Sequence, residues 1–170
     1  MEENHYVSYK DFLIQEILNN PTDELSKESR EILFTIRRDK VLRPVITLSY
    51  TSSSLIAGAR ETYETIKRYL DEREIDADLM KIGSLGLNSS EPVMNVQVPG
   101  KAKVTFFNVL PEKVSDILDA VFNNFVPEEY LLGQHQNQIH EPWEKLPFIE
   151  EVPFFANQER IILKNCGQIN

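Results

Sequence analysis

The apolar positions change period along the chain, and the changes divide it into elements. Between residues 6 and 18, Tyr9, Phe12, Leu13 and Ile17 recur at helical spacing, and the pattern stops at Asn19-Asn20-Pro21. Residues 24–39 repeat it with Leu25, Ile32, Leu33 and Ile36 on one stripe. Thr22 or Asp23 is placed to cap that helix, and Arg37, Arg38 and Lys40 lie where the negative end of its dipole favours cations. Two narrow stripes joined by a turn predict a helical hairpin over residues 1–42 that covers a core, with a docking arm for a partner as the alternative.

From residue 43 the signal is of strands. Pro44-Val45-Ile46-Thr47-Leu48 is a short β-branched run that predicts a buried central strand, and the hydroxyl-rich stretch Ser49-Tyr50-Thr51-Ser52-Ser53-Ser54 follows it. Leu55-Ile56-Ala57-Gly58-Ala59 comes next, with a helix expected to about Arg73 in which Ala59, Tyr63, Ile66 and Leu70 share a face. Asp78 to Ile82 supplies a second strand, parallel to the first because a helix intervenes. Gly83 to Pro92 is a tight loop of glycines and small polar residues. Beyond it Met94, Val96 and Val98 alternate with Asn95 and Gln97, Pro99-Gly100 turns the chain, and Val104 to Val109 returns antiparallel. Pro111 then opens a helix whose Val114, Ile117, Leu118, Val121 and Phe122 form a broad apolar face. The order helix, helix, strand, helix, strand, strand, strand, helix predicts an α/β fold: a thioredoxin-like βαββα mixed sheet flanked by helices over residues 43–132. From residue 133 a polar linker, Gln134 to His140, leads into a tail that alternates prolines with aromatics, as an extended covering segment does, and Arg160 to Lys164 reads as one further strand.

Charge and composition narrow the function classes. With 27 acidic against 18 basic residues the net charge is −9, which repels phosphate backbones and argues against a nucleic-acid partner. No window is apolar for the length of a membrane span, and the acidic start Met-Glu-Glu-Asn-His has no signal pattern, so the expected compartment is the cytoplasm. The single cysteine, Cys166, makes neither an internal disulfide nor a Cys-x-x-Cys dithiol and is read as a small buried residue. His135 and His140, five apart among glutamines, are read as solvated linker rather than as metal ligands. No histidine is placed to activate the serine cluster, and an anion bound where Tyr50 to Ser54 enter the following helix is a weaker alternative.

The serine loop and the glycine loop follow the two parallel strands, so both are expected at the carboxyl end of the sheet, where open α/β folds carry their sites. Leu48-Ser49 to Ala59, together with SLGLNSSEPVMNVQVPG, resembles the thioredoxin-like [2Fe–2S] ferredoxin domain. That domain occurs in a small subunit of respiratory complex I and at the N-terminus of the NADH-binding subunit of complex I-type NADH dehydrogenases and bifurcating hydrogenases. PFFANQERIILKNCGQIN is similar to the segment that leads into the flavin domain of that NADH-binding subunit, which favours the second setting. The resemblance places Ser49, Ser54, Ser84 and Asn88 on the four cluster-cysteine positions, with Ser53 a substitute for Ser54 if the register slips by one.

Iron–sulfur clusters are held by thiolates, so what the resemblance implies is a domain whose ligands have been lost. No cofactor is expected in this chain, no residue is assigned a catalytic role, and the FMN and NADH sites of the related subunit lie beyond its end. The expected role is structural and subunit-docking, within an NADH dehydrogenase-related oxidoreductase whose other subunits are the partners. The strand-like end predicts that the chain continues in a longer polypeptide, and the aromatic tail, if unpaired, is expected to self-associate into a homo-oligomer. An electron-transfer module that still carries a [2Fe–2S] cluster, and a small-ligand domain that reuses the emptied site, are the alternatives.

Overall fold

A computed structural model describes residues 9–19, 24–136 and 139–161 and divides the chain into two compact units, residues 1–40 and 41–170. In the first, α1 (Tyr9–Phe12) runs on as a π-turn over Leu13–Ile17, and α2 spans Lys27–Ile36. Phe12, Leu25 and Leu33 are buried together, with Leu13, Ile17, Ile32 and Ile36 against them, so the two apolar stripes close on each other. The cap differs from expectation. Thr22 and Asp23 lie outside the described residues, and Ser26 caps α2 by accepting from the Ser29 N–H at 3.0 Å, which starts the helix at Lys27.

The second unit is built on a five-stranded sheet in the order β2-β1-β3-β4-β5. Strand β1 (Val45–Ser49) passes through the short helix α3 (Ser52–Ile56) and the long helix α4 (Ala59–Glu72) to β2 (Asp78–Ile82), which lies parallel to it. Strand β3 (Met94–Gln97) is antiparallel to β1, and β4 (Val104–Phe106) is antiparallel to β3. Helix α5 (Pro111–Phe122) follows, then β5 (Leu131–Gln134) beside β4, and a last turn of helix, α6 (Pro153–Ala156). A parallel pair joined by a helical crossover, with β3 reversed against its neighbours, is the thioredoxin-like arrangement of a mixed α/β sheet.

One face of this sheet, Ile46, Leu48, Met94, Val96, Val104 and Phe106, is buried against Ile66 and Leu70 of α4 and Val114, Ile117 and Leu118 of α5. Full burial of each such side chain stabilises by about 1.5–3 kcal/mol, which makes this layer the main source of stability. The crossover is two helices where one was expected. Thr51 and Ser54 form a capping box that nucleates α3, and Gly58 ends it in the left-handed region at φ 101°, where a side chain would be strained.

The opposite face is polar and buried, which the alternation in β3 did not predict: Asn95 and Gln97 are buried along with Met94 and Val96. Asn95 donates to Thr47 Oγ1 at 2.8 Å, and the Thr105 hydroxyl donates to Asn95 Oδ1 at 2.7 Å. His135 Nε2 lies 2.8 Å from Thr105 Oγ1, and since that hydroxyl has used its proton on Asn95, His135 is the donor, with a proton on Nε2. His135 is therefore no solvated linker; it closes a polar row that runs from β1 across β3 and β4.

Burial, with Lys103 nearby as a lesser cause, holds the His135 imidazole well below its usual value of 6.5. The unfolded chain therefore takes up this proton before the folded chain does, so the contribution is complete above pH 6.5 and is lost as pH falls below it. Urea unfolding followed from pH 7.5 downward is expected to show a loss of at most ~1.4 kcal/mol per pH unit from this one group. His135→Leu is expected to flatten that dependence relative to the native chain.

Strand β5 and the tail are the largest addition to the expected fold. The run Leu131-Leu132-Gly133-Gln134 is short, carries a glycine, and pairs with β4 through an irregularity at Thr105/Phe106, so neither period marks it. The tail then lies along this edge: Ala102 N–H donates to Glu141 O at 3.0 Å and Gln134 N–H to Pro147 O at 2.9 Å. Most of the strand expected at 160–164 and the whole of Cys166 lie outside the described residues.

Candidate functional site

Ser49 is the last residue of β1, and Ser84 follows β2 by two residues. Because the strands are parallel, both serines arrive at the same, carboxyl end of the sheet, as expected. What brings them together is Glu91. The Ser84 hydroxyl donates to Glu91 Oε1 at 2.6 Å, and the Ser49 hydroxyl donates to Glu91 Oε2. Val93 N–H donates to both Ser49 Oγ, at 2.9 Å, and Glu91 Oε2, at 3.2 Å. Gly86 N–H donates to Ser84 Oγ at 3.0 Å. Each serine is thus used as donor and acceptor, and Glu91, only 5% exposed, bridges the ends of the two parallel strands.

Burial of a carboxylate without partners costs several kcal/mol, and this one is supplied with two hydroxyls and a backbone N–H. The loop that carries it is fixed by its surroundings. Asn108 N–H donates to Ser90 O at 2.9 Å and Val109 N–H to Pro92 O at 3.0 Å, tying the loop to the segment after β4. Leu85 and Val93 are buried with Ile149, and Leu132 and Phe155 pack against them. Arg160 Nη2 donates to Leu85 O at 2.7 Å, beside Gly86, whose φ of 90° allows the tight turn.

The other two positions do not join this group. Ser54 is fully buried and bonded to Thr51 Oγ1 at 2.8 Å, and it accepts from Thr51 N–H at 3.2 Å, within the cap of α3. Ser53 also turns to Thr51 Oγ1, at 3.0 Å, so the hydroxyls of this loop face one another rather than an anion. Asn88 opens a 3₁₀ turn with its side chain exposed. Three hydroxyls and an amide are not a donor set that fits an iron–sulfur cluster, which takes thiolates; two of the hydroxyls are already bound to an anion of the protein. Among the described residues, no three histidine, cysteine or acidic side chains are grouped to hold a metal ion. Ser49 is buried and its lone pairs accept from the backbone, so it offers no accessible nucleophile.

Sequence reasoning found the two loops and missed the residue that links them. In the sequence Glu91 is one residue of the loop Gly83 to Pro92, and Arg160 opens a strand-like run. A buried carboxylate is announced by no local pattern; the nearest signal was an acidic residue between small polar residues and a proline.

No family model matches the chain, and no curated protein matches it. Solved structures similar to it include a thioredoxin-like [2Fe–2S] ferredoxin from Aquifex aeolicus, at 14% identity and a TM-score of 0.47 over 56% of this chain and 96% of that one. A further structure of the wild-type ferredoxin gives 14% identity and a TM-score of 0.44 over 54% and 97%. A cysteine-to-serine variant of it gives 15% and 0.46 over 52% and 96%. Among the described residues no helix is long and apolar enough to cross a membrane.

Proposed function

We propose that the chain is a cluster-free thioredoxin-like domain with a structural and subunit-docking role in an NADH dehydrogenase-related oxidoreductase, as part of a protein related to the NADH-binding subunit. The observation that carries this reading is the Glu91 carboxylate seated between Ser49 and Ser84, the positions where the resemblance would put two thiolates. An anion there opposes a cluster, which is itself held by anionic ligands, and the hydrogen bonds supply the cross-link between the two loops that a cluster would otherwise make. The sheet and its two long helices hold the fold by apolar burial without metal.

The reading is tested on native protein purified anaerobically. Iron and acid-labile sulfide are expected at background, with no charge-transfer absorption in the visible range. Stoichiometric iron and sulfide would establish the electron-transfer alternative and end this proposal.

A further inference from the structure

The second unit carries an open cleft of about 520 Å³ between the β3–β4 turn, the segment after α5 and the tail. Its lining mixes apolar and polar side chains and includes two aromatic rings, Phe125 and Trp143. Trp143 is 8% exposed and locked by its indole N–H, which donates to Ala102 O at 2.8 Å, whereas Phe125 is 63% exposed. Phe125 is held in that position by the backbone: Asn124 ends α5 in the left-handed region at φ 59°, and Phe125 N–H returns to Ala120 O at 2.9 Å. An exposed aromatic ring on a fixed backbone loses little entropy when it is covered, which is the property of an anchor residue.

The rim is acidic. Glu128 and Glu144 line the cleft, both are exposed, and no cation among the described residues pairs with either. The cation on this rim, Lys101, is engaged by Glu141 at 3.4 Å and lies over the Trp143 ring at 5.7 Å. We propose that this cleft docks a basic amphipathic segment of a partner protein, whose apolar side covers Phe125 while its lysine or arginine groups face Glu128 and Glu144. The inference deepens the docking role proposed above and rests on it. The net charge of −9 steers such a segment toward the chain and repels nucleic acid and anionic membrane.

Trp143, the sole tryptophan, is a built-in reporter. The full chain is titrated with a helical leucine–lysine peptide and with the same peptide carrying glutamate for lysine, following Trp143 emission and isothermal heat. The lysine peptide is expected to bind saturably and to shift the emission, and the glutamate peptide to do neither. Phe125→Ala is expected to weaken binding about tenfold, and E128Q/E144Q to weaken it and reduce its salt dependence, with thermal unfolding unchanged in both. The control pair E64Q/E72Q on α4 removes the same charge elsewhere and is expected to change little. Equal loss in the control pair, or full binding by Phe125→Ala, overturns the proposal, as does absence of binding. The assay does not involve iron, so a null result removes this surface and leaves the cluster-free reading standing, whereas failure of that reading shows separately as iron and sulfide in native protein.

Discussion

Gln134→Ala is expected to lower stability by about 3 kcal/mol in urea unfolding, more than most single core truncations of a residue so short on apolar atoms. The Gln134 side chain is 1% exposed and acts as the joint between the sheet and the tail. Its amide nitrogen donates to Trp143 O at 3.0 Å and Leu146 O at 2.8 Å, and its oxygen accepts from Trp143 N–H at 2.7 Å. Removal strands those backbone groups in a place that water reaches poorly, at about 1–3 kcal/mol for each group that stays unsatisfied. Trp143 emission is expected to move to the red as the segment loosens. Gly133→Ala is the companion test, because an added Cβ would stand 2.9 Å from Ile149 N and 3.0 Å from its Cα. The tail must shift to admit it, at roughly 2 kcal/mol, although Gln134 itself is untouched. If both variants unfold with the native midpoint, the tail is not docked on β5 as described.

The parts of the fold that could be read in the sequence are those decided by one apolar face at a time. Ile66 and Leu70 on α4, Ile117 and Leu118 on α5, and the run at Val45 to Leu48 show their period because burial on the same layer demands it. Gln134, Asn95 and Thr105 could not be read this way. Each is polar and buried, and its partners are supplied by other elements: 9 and 12 residues away for Gln134, 10 and 48 for Asn95. A polar residue in sequence signals exposure, and only the closed set of partners reverses the sign. The same blindness turned the end of β5 into a linker. The break between α3 and α4 falls at Gly58, whereas the start of α3 is set by the box of Thr51 and Ser54, two residues that in sequence belong to an undifferentiated stretch of hydroxyls.

The site follows this logic, and it sets the second large effect. Glu91→Ala is expected to cost about 3 kcal/mol, because the Ser49 and Ser84 hydroxyls lose their acceptor together and a cavity opens under the loop. Glu91→Gln keeps the shape and one acceptor oxygen, and the hydroxyl that meets the new amide can turn to accept from it, so about 1 kcal/mol is expected. Partners 42 and 7 residues away meet on one carboxylate, and their energies should therefore not add. In a double-mutant cycle of Ser84→Ala with Glu91→Ala, a coupling of about 1 kcal/mol or more is expected by urea unfolding. The cycle also separates two roles for the serines. Hydroxyls that bind the carboxylate give that coupling in metal-free protein, whereas hydroxyls kept to bind iron give additive losses without metal and a coupling that depends on iron. Additive losses in metal-free protein would remove Glu91 as the link between the two loops.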